Sequence, residues 1–171
     1  MHENDAVYDY IAYCDGSCDN ADTKCGGSAY IIIQGDYIIK EAHKGFQNTT
    51  NNRMEMLAII SAVYSVPEGA SIMIYSDSQY AINVFTGKWR ANTNKDLLMK
   101  YLHISYTRNV SFTWVKGHSG DKYNEMVDSL AFGSCEDMVF KTGRKPGKYF
   151  YVNHEGFMQK SLVNNVNCSL E

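Results

Sequence analysis

Ser71-Ile72-Met73-Ile74-Tyr75-Ser76-Asp77-Ser78-Gln79 reads as a short apolar strand closed by a serine and an aspartate, with a helix starting at once over Ser78 to Phe85. Upstream of it the pattern is all strand. Val7 to Asp15, Ser28 to Ile33 and Tyr37 to Phe46 are β-branched and aromatic, and Gln34-Gly35-Asp36 supplies a tight turn, so these segments predict an antiparallel meander. From Asn51 to Ser65 the period changes, because Met56, Ile59, Ile60 and Val63 follow helical spacing and Leu57 and Ala58 widen the stripe. Downstream, a helix fits Asn94 to Tyr106, a fifth strand fits Val110 to Val115, and a last core helix fits Lys122 to Phe132. Three strands followed by alternating helix and strand predict an α/β fold with a mixed five-stranded sheet, antiparallel then parallel, flanked by helices.

The texture changes at Gly133. Gly143, Pro146 and Gly147 interrupt the chain, Tyr149 to Val152 resembles a strand, and Asn153-His154-Glu155-Gly156 resembles a turn, which predicts an appended hairpin. The expected organisation is a main domain over residues 1–135 and a C-terminal extension, 136–171, packed on or beside it.

At 171 residues, 44% hydrophobic and 13% aromatic, the chain has material for one well-filled core, and disorder or low complexity is excluded as a description of the whole. Apolar runs such as Ile31-Ile32-Ile33 fall far short of the roughly 20 residues a membrane span needs. The N-terminus is acidic and carries no stretch of signal-peptide type, and the five cysteines show no framework spacing. Both features predict a cytoplasmic protein with reduced thiols and no membrane partner. Cys18 and Cys25 match no zinc-knuckle spacing. A net charge of −3 means that any polyanion must be met by local patches or by metal ions.

Four carboxylates carry the chemical signal. Asp15 and Asp77 each end a predicted strand, and adjacent parallel strands ending in acids set both side chains at one edge of a sheet, where α/β folds bind ligands. Glu55 interrupts an otherwise apolar helix. Asp128 lies one turn after Asn124, on a face that the apolar residues leave open. Taken singly, each has an ordinary explanation: Asp77-Ser78 as a helix cap, Glu55 as a dipole-favoured residue, Asp15-Gly16 as a turn. Clustered, they repel one another unless divalent cations intervene, and hard oxygen ligands select magnesium or manganese.

The neighbours of these acids decide between the two readings. Asp15-Gly16-Ser17, Thr49-Thr50-Asn51-Asn52-Arg53-Met54-Glu55, Asp77-Ser78-Gln79-Tyr80, and Trp114-Val115-Lys116-Gly117-His118-Ser119-Gly120 followed by Asn124-Glu125 and Asp128 resemble type 1 ribonuclease H, block for block and in order. The resemblance covers about Tyr8 to Phe132.

It implies a ribonuclease H-like fold and hydrolysis of the RNA strand of RNA–DNA hybrids by two Mg2+ ions, with Mn2+ as a substitute, leaving 5′-phosphate and 3′-hydroxyl ends. Asp15, Glu55, Asp77 and Asp128 take the places of the family's metal-binding carboxylates, Asp77 being the best candidate to touch both ions, and His118 that of its mobile-loop histidine. Asn51 and Gln79 match minor-groove positions near the RNA strand; Thr50 and Asn94 match a pocket for a DNA-strand phosphate. Amides suit groove edges and hydroxyls without choosing a base, so cleavage is expected to be sequence-independent. No obligate protein partner is evident, and a monomer is expected.

The departures from the family are also informative. Between Tyr80 and Trp89 the chain is too short for the basic handle helix that many members use to grip the hybrid, and Asp19 to Lys24 replaces the usual loop after the first acid. Arg144, Lys145 and Lys148, near Tyr149-Phe150-Tyr151, are candidates for an auxiliary hybrid-binding patch; solvated lysines on a hairpin covering a sheet edge are the equal alternative. Two other classes remain as competitors: a catalytically silent binding module, which usually loses carboxylates, and a DNA-acting transposase or resolvase relative, which lacks the Trp114 to Gly120 block.

Overall fold

The computed structural model describes residues 7–146 and 150. Strands β1 (Tyr10–Cys18), β2 (Gly26–Gln34) and β3 (Tyr37–Phe46) form the meander, followed by α1 (Asn51–Ser65), β4 (Ser71–Ser76), α2 (Gln79–Phe85), α3 (Lys95–Ser105), β5 (Asn109–Trp114) and α4 (Lys122–Thr142). The sheet order is β3-β2-β1-β4-β5, with β1–β2 and β2–β3 antiparallel and β1–β4 and β4–β5 parallel. The mixed five-stranded sheet read from the sequence is the observed one.

Strand alternation sorts the core onto two faces. Ala12, Cys14, Ile32, Ile72 and Ile74 point toward α1, α2 and α3, where Met56, Ile59 and Val63 of α1 meet them. Ile11, Tyr13, Ile31, Ile33, Met73 and Tyr75 point the other way, toward Val127 of α4. Because both faces are covered, the central strands read as continuous apolar runs rather than alternating ones. The hairpin between β2 and β3 turns on Gly35, whose φ of +61° is left-handed.

Several boundaries shift by one to three residues, and two of the differences bear on the site and the C-terminal segment. β1 does not end at Asp15: its parallel partner β4 stops opposite Cys14, at Ser76, but β2 goes on pairing from Asp15↔Ala29 to Cys18↔Gly26. Likewise, the last helix does not end at Phe132. Gly133 is tolerated inside it, and Ser134, Cys135 and Val139 beyond it are buried, so tertiary burial carries the helix on to Gly143, whose φ of +70° caps it. The helix therefore runs unbroken across the expected division at 135/136. Phe150 is buried, with its ring 5.0 Å from that of Phe132. The rest of the expected hairpin, and Lys148, lie outside the described residues. Cys14, Cys18, Cys25 and Cys135 are free thiols. Among the described residues, no helix is long and apolar enough to cross a membrane.

Candidate active site

The acids converge where β1 loses its parallel neighbour. Asp15 is the first β1 residue past the end of β4, and Asp77 immediately follows β4, so the register aligns them side by side. Glu55 arrives from α1, whose first turns lie directly on β1. The contact is possible only because residue 16 is glycine: a Cβ there would sit 2.4 Å from the Glu55 amide nitrogen and 2.5 Å from the Met54 carbonyl carbon. Ser28 of β2 fixes the same turn, its Oγ donating to the Met54 carbonyl at 2.9 Å. Gly16 is thus a close-approach residue inside a strand, and the turn reading of Asp15-Gly16 does not hold.

Asp15, Glu55 and Asp77 each offer a carboxylate oxygen within 4.8 Å of the others. Asp15 and Glu55 are only 2% and 6% exposed, whereas Asp77 is half-buried. Burial raises the Asp15 carboxyl well above the usual range, and the charges of Glu55, Asp77 and Asp128 raise it further. Burial likewise raises Glu55, with Asp77 adding to it, and raises Asp77, with Asp128 adding to it. Asp128, half-buried on α4, lines the same cavity but stands outside the tight trio.

Glu55 Oε2 is buried and has no hydrogen-bond partner. An acceptor-only atom in that state, beside two further carboxylates, fits a cation site of hard oxygen ligands. The donor set suits magnesium or manganese.

The surrounding loops are held close to these acids. Trp114 Nε1 donates to the Asp77 carbonyl at 3.0 Å, and a Cβ at Gly117 would lie 2.9 Å from Asp77 Oδ2, so the loop after β5 passes directly over this acid. His118, on that loop, is exposed, has a left-handed φ of +55° and lines the cavity with the four acids and Asn51. Its charge draws the Asp77 carboxyl down, against the dominant effect of burial.

The other expected site residues divide. Asn51 is in the cavity wall. Gln79 is exposed at the start of α2 and is not among the residues lining it. Thr50 and Asn94 come together through Arg53: the Thr50 side chain caps α1 by accepting from the Arg53 amide at 3.2 Å, and Arg53 Nη1 donates to Asn94 Oδ1 at 3.2 Å. Asn94 precedes α3 in a left-handed conformation, φ +59°, and its amide donates to the Tyr80 hydroxyl at 3.1 Å. Arg53 also forms a bidentate pair with Asp96, at 2.9 and 2.8 Å. Arg144 and Lys145 are exposed just past the end of α4.

Sequence reasoning missed Asn20, which lines the cavity and whose Oδ1 accepts from the Asn51 amide at 3.0 Å. Its loop is closed by Asp19, whose Oδ2 accepts from the amide and hydroxyl of Thr23. It also missed Arg53 as the link between Thr50 and Asn94. The charge complement of Arg53 with Asp96, 43 residues on, was the available signal for the latter.

A ribonuclease H family profile matches residues 8–136. Among curated proteins, the chain is 34% identical over 149 residues to "Ribonuclease H" of Desulforamulus reducens, covering 79% of this chain and 92% of that protein. It is 36% identical over 143 residues to "Ribonuclease H" of Caldicellulosiruptor saccharolyticus, covering 75% and 97%. Identity to "Ribonuclease H" of Francisella tularensis subsp. novicida is 35% over 144 residues, covering 77% and 93%.

Proposed function

This chain belongs to the ribonuclease H family and is a nuclease, and from that premise we propose that it hydrolyses the RNA strand of RNA–DNA hybrids with two divalent cations, independently of base sequence. The products would carry 5′-phosphate and 3′-hydroxyl ends. The observation that carries the reading is the buried, unpartnered Glu55 Oε2 within a trio of carboxylates that a nuclease family profile spans.

In this reading Asp15, Glu55, Asp77 and Asp128 hold Mg2+, with Mn2+ as a substitute. Bound cations supply a lowered water pKa and charge stabilisation for the departing 3′-oxygen. The chain's own residues do the rest. Gly16 and Ser28 fix Glu55 against Asp15, so the ligands are positioned before substrate arrives. Asn51, presented by the Asn20 side chain, faces the cavity as an amide able to donate to or accept from a 2′-hydroxyl. Gln79 would reach the same groove from the start of α2. Thr50 and Asn94, joined through Arg53, would hold a phosphate of the DNA strand. The loop histidine His118 would move a proton at the product phosphate, its imidazole being exposed enough to swing.

We retain residues 1–135 as the catalytic unit and 136–171 as an extension continuous with it through α4. Arg144, Lys145 and Lys148 are kept as auxiliary contacts to the hybrid, and the protein as a monomer. Free thiols fit a cytoplasmic setting, where they stay reduced.

The test is a substrate panel of hybrid, RNA duplex, DNA duplex and single strands, each with Mg2+, Mn2+ or EDTA. Cleavage confined to the RNA strand of the hybrid, and abolished by EDTA, is the expected result. Cleavage of the DNA duplex would move the protein to the transposase or resolvase class, and binding without cleavage to a silent module.

A further inference from the structure

We propose that Phe150 is a positioning residue for the hybrid: from the extension beyond the family-matched residues 8–136, it packs beside the β1–β2 connection and sets the place of Asn20 and Asn51 at the substrate cavity. The inference rests on the ribonuclease H reading for its substrate and gives the extension a part in that reading.

Two departures from the family meet here, the loop from Asp19 to Lys24 and the chain after α4. Past the Gly143 cap, Phe150 is again in the core, 8% exposed, with its ring 5.0 Å from that of Phe132. It shares one buried cluster with Cys25, Cys135 and Val139. Cys25 closes the loop, because its carbonyl accepts from the Asp19 amide at 2.9 Å, and the Cys135 thiol donates to the same carbonyl at 3.3 Å. The contact of β2 with α4 has no slack: a Cβ at Gly27 would sit 2.6 Å from the Cys135 amide nitrogen and 2.1 Å from the Ala131 carbonyl oxygen. Cys135 is thus fixed against the sheet, and Phe150 completes the packing around Cys25.

The loop passes its placement on because it is internally rigid. Asp19 and Thr23 are buried, Asp19 Oδ2 accepts from the Thr23 amide at 3.1 Å and from its hydroxyl at 2.9 Å, and the Lys24 amide donates to the Asp19 carbonyl at 3.0 Å. Two bonds tie this unit to the start of α1. The Thr49 amide donates to the Lys24 carbonyl at 2.9 Å, and the Asn51 amide to Asn20 Oδ1 at 3.0 Å. Asn20 and Asn51 line the cavity that holds the four acids. A gap beside Cys25 therefore lets the whole unit tilt, and the amides that face the hybrid tilt with it. The carboxylates of Asp15 and Glu55, held by Gly16 and Ser28, stay in place. Binding is weakened and the chemical step is not.

The experiment uses the full chain with Phe150→Ala, Phe150→Val, Phe150→Leu, Asn20→Ala and Phe150→Ala/Asn20→Ala. Val66→Ala, buried in the cluster on the other face of the sheet, is the control. The readouts are equilibrium binding of an RNA–DNA hybrid in EDTA, KM and kcat in Mg2+, and amide hydrogen exchange of peptides spanning residues 19–25 and 49–53. Phe150→Ala is expected to raise Kd and KM about 3- to 10-fold, the effect of losing about one net hydrogen bond, with kcat within about twofold of wild type. Exchange should quicken in both peptides. Phe150→Leu, which refills most of the volume, should restore wild-type behaviour. Phe150→Val should move every readout in the same direction by less, and it serves as the test if Phe150→Ala does not fold. Because Phe150 acts through Asn20, the double variant should bind no worse than the weaker-binding single variant.

Wild-type Kd and exchange in Phe150→Ala, an additive double variant, a Phe150→Leu as weak as Phe150→Ala, or an equal loss of affinity in Val66→Ala overturns the inference. If the wild type cleaves hybrid and any of these results is found, the role of Phe150 fails and the ribonuclease H reading stands. If the wild type neither binds nor cleaves hybrid, yet Phe150→Ala quickens exchange in both peptides, the reading fails and Phe150 stands as the residue that positions this loop.

Discussion

Asp15→Asn is expected to inactivate the enzyme and, at the same time, to stabilise the metal-free protein. Asp15, Glu55 and Asp77 present oxygens within 4.8 Å of one another, and two unit charges at that distance, at an effective dielectric of about 20, repel by about 3 kcal/mol. Asp15 has two such neighbours. Part of this repulsion, together with the larger cost of burying the charges, is already relieved by proton uptake, which is what the raised carboxyl pKa values of the trio express. What remains is bounded by about 3 kcal/mol per ionised neighbour, and each kcal/mol of it corresponds to a rise of about 2–4 °C in Tm for a chain of this size. An asparagine Oδ1 still accepts the Gly16 amide, which Asp15 Oδ1 does at 2.9 Å, so the substitution removes charge and keeps the bond.

The pH dependence has a definite sign. These carboxyls are raised in the folded state, so between the unfolded carboxylate pKa and the folded one the native state binds more protons than the unfolded state. Stability of the metal-free protein therefore falls as pH rises through the folded pKa values, and recovers as pH is lowered through them. The advantage of Asp15→Asn should be largest at pH 8 and shrink toward pH 5. Mg2+ at about 100 times its Kd should stabilise the wild type by about 2.7 kcal/mol and Asp15→Asn by less. Differential scanning calorimetry in EDTA and in Mg2+, at both pH values, reads all of this. An Asp15→Asn protein less stable than wild type in EDTA at pH 8 would refute the claim that burial and mutual repulsion make an ionised Asp15 a cost to the fold.

Asp77→Asn is expected to abolish turnover with the circular dichroism spectrum unchanged, since an amide cannot supply the charge that cations demand; hydrolysis of hybrid at the wild-type rate by protein free of host enzyme would overturn the assignment. His118→Ala should slow steady-state turnover without eliminating it, and a loss as complete as that of Asp77→Asn would make the histidine indispensable, contrary to its proposed role in moving a product-side proton. Gly16→Ala should cost about 3 kcal/mol or more, seen as a lower denaturation midpoint together with loss of activity, because its Cβ would meet backbone atoms of α1 at 2.4 and 2.5 Å that cannot yield cheaply. Neutralising Arg144, Lys145 and Lys148 should raise KM for the hybrid and flatten its salt dependence by about one unit per contact; an unchanged slope would leave the tail structural.

The parts of the fold that sequence carried were those with local periodicity. Tyr37–Phe46 and Asn51–Ser65 have the bounds expected of them, because a hairpin turn and a Thr50 cap mark their starts in the chain itself. The misplaced ends were decided by distant partners. β1 continues past Asp15 because Ala29, Ser28, Gly27 and Gly26 are there to pair with it, and α4 continues past Phe132 because Cys25 and Phe150 pack with Cys135 and Val139 of its second half. No window of local sequence contains those partners. The site follows the same rule. Asp15, Glu55, Asp77 and Asp128 could be read because their motifs are contiguous blocks, whereas Asn20 and Arg53 act through bonds to residues 31 and 41 positions away.

The gradient of burial across the acids adds something the motif alone does not contain. Asp15 and Glu55 are nearly inaccessible and are locked by a glycine contact and a serine hydrogen bond, while Asp77 and Asp128 are half-buried and open to the cavity. A locked, nearly inaccessible pair resists rearrangement, because the tight backbone contact at Gly16 would have to give way with it. The two more exposed acids line the cavity with His118, and Trp114 ties the end of β5, from which the His118 loop departs, to the Asp77 carbonyl. Charge is thus stored where the protein is rigid and presented where it is accessible. That division fits both a close-approach glycine at position 16, which fixes Glu55 against Asp15, and a glycine-flanked loop at 117–120, which in the proposed mechanism would admit and release the strand.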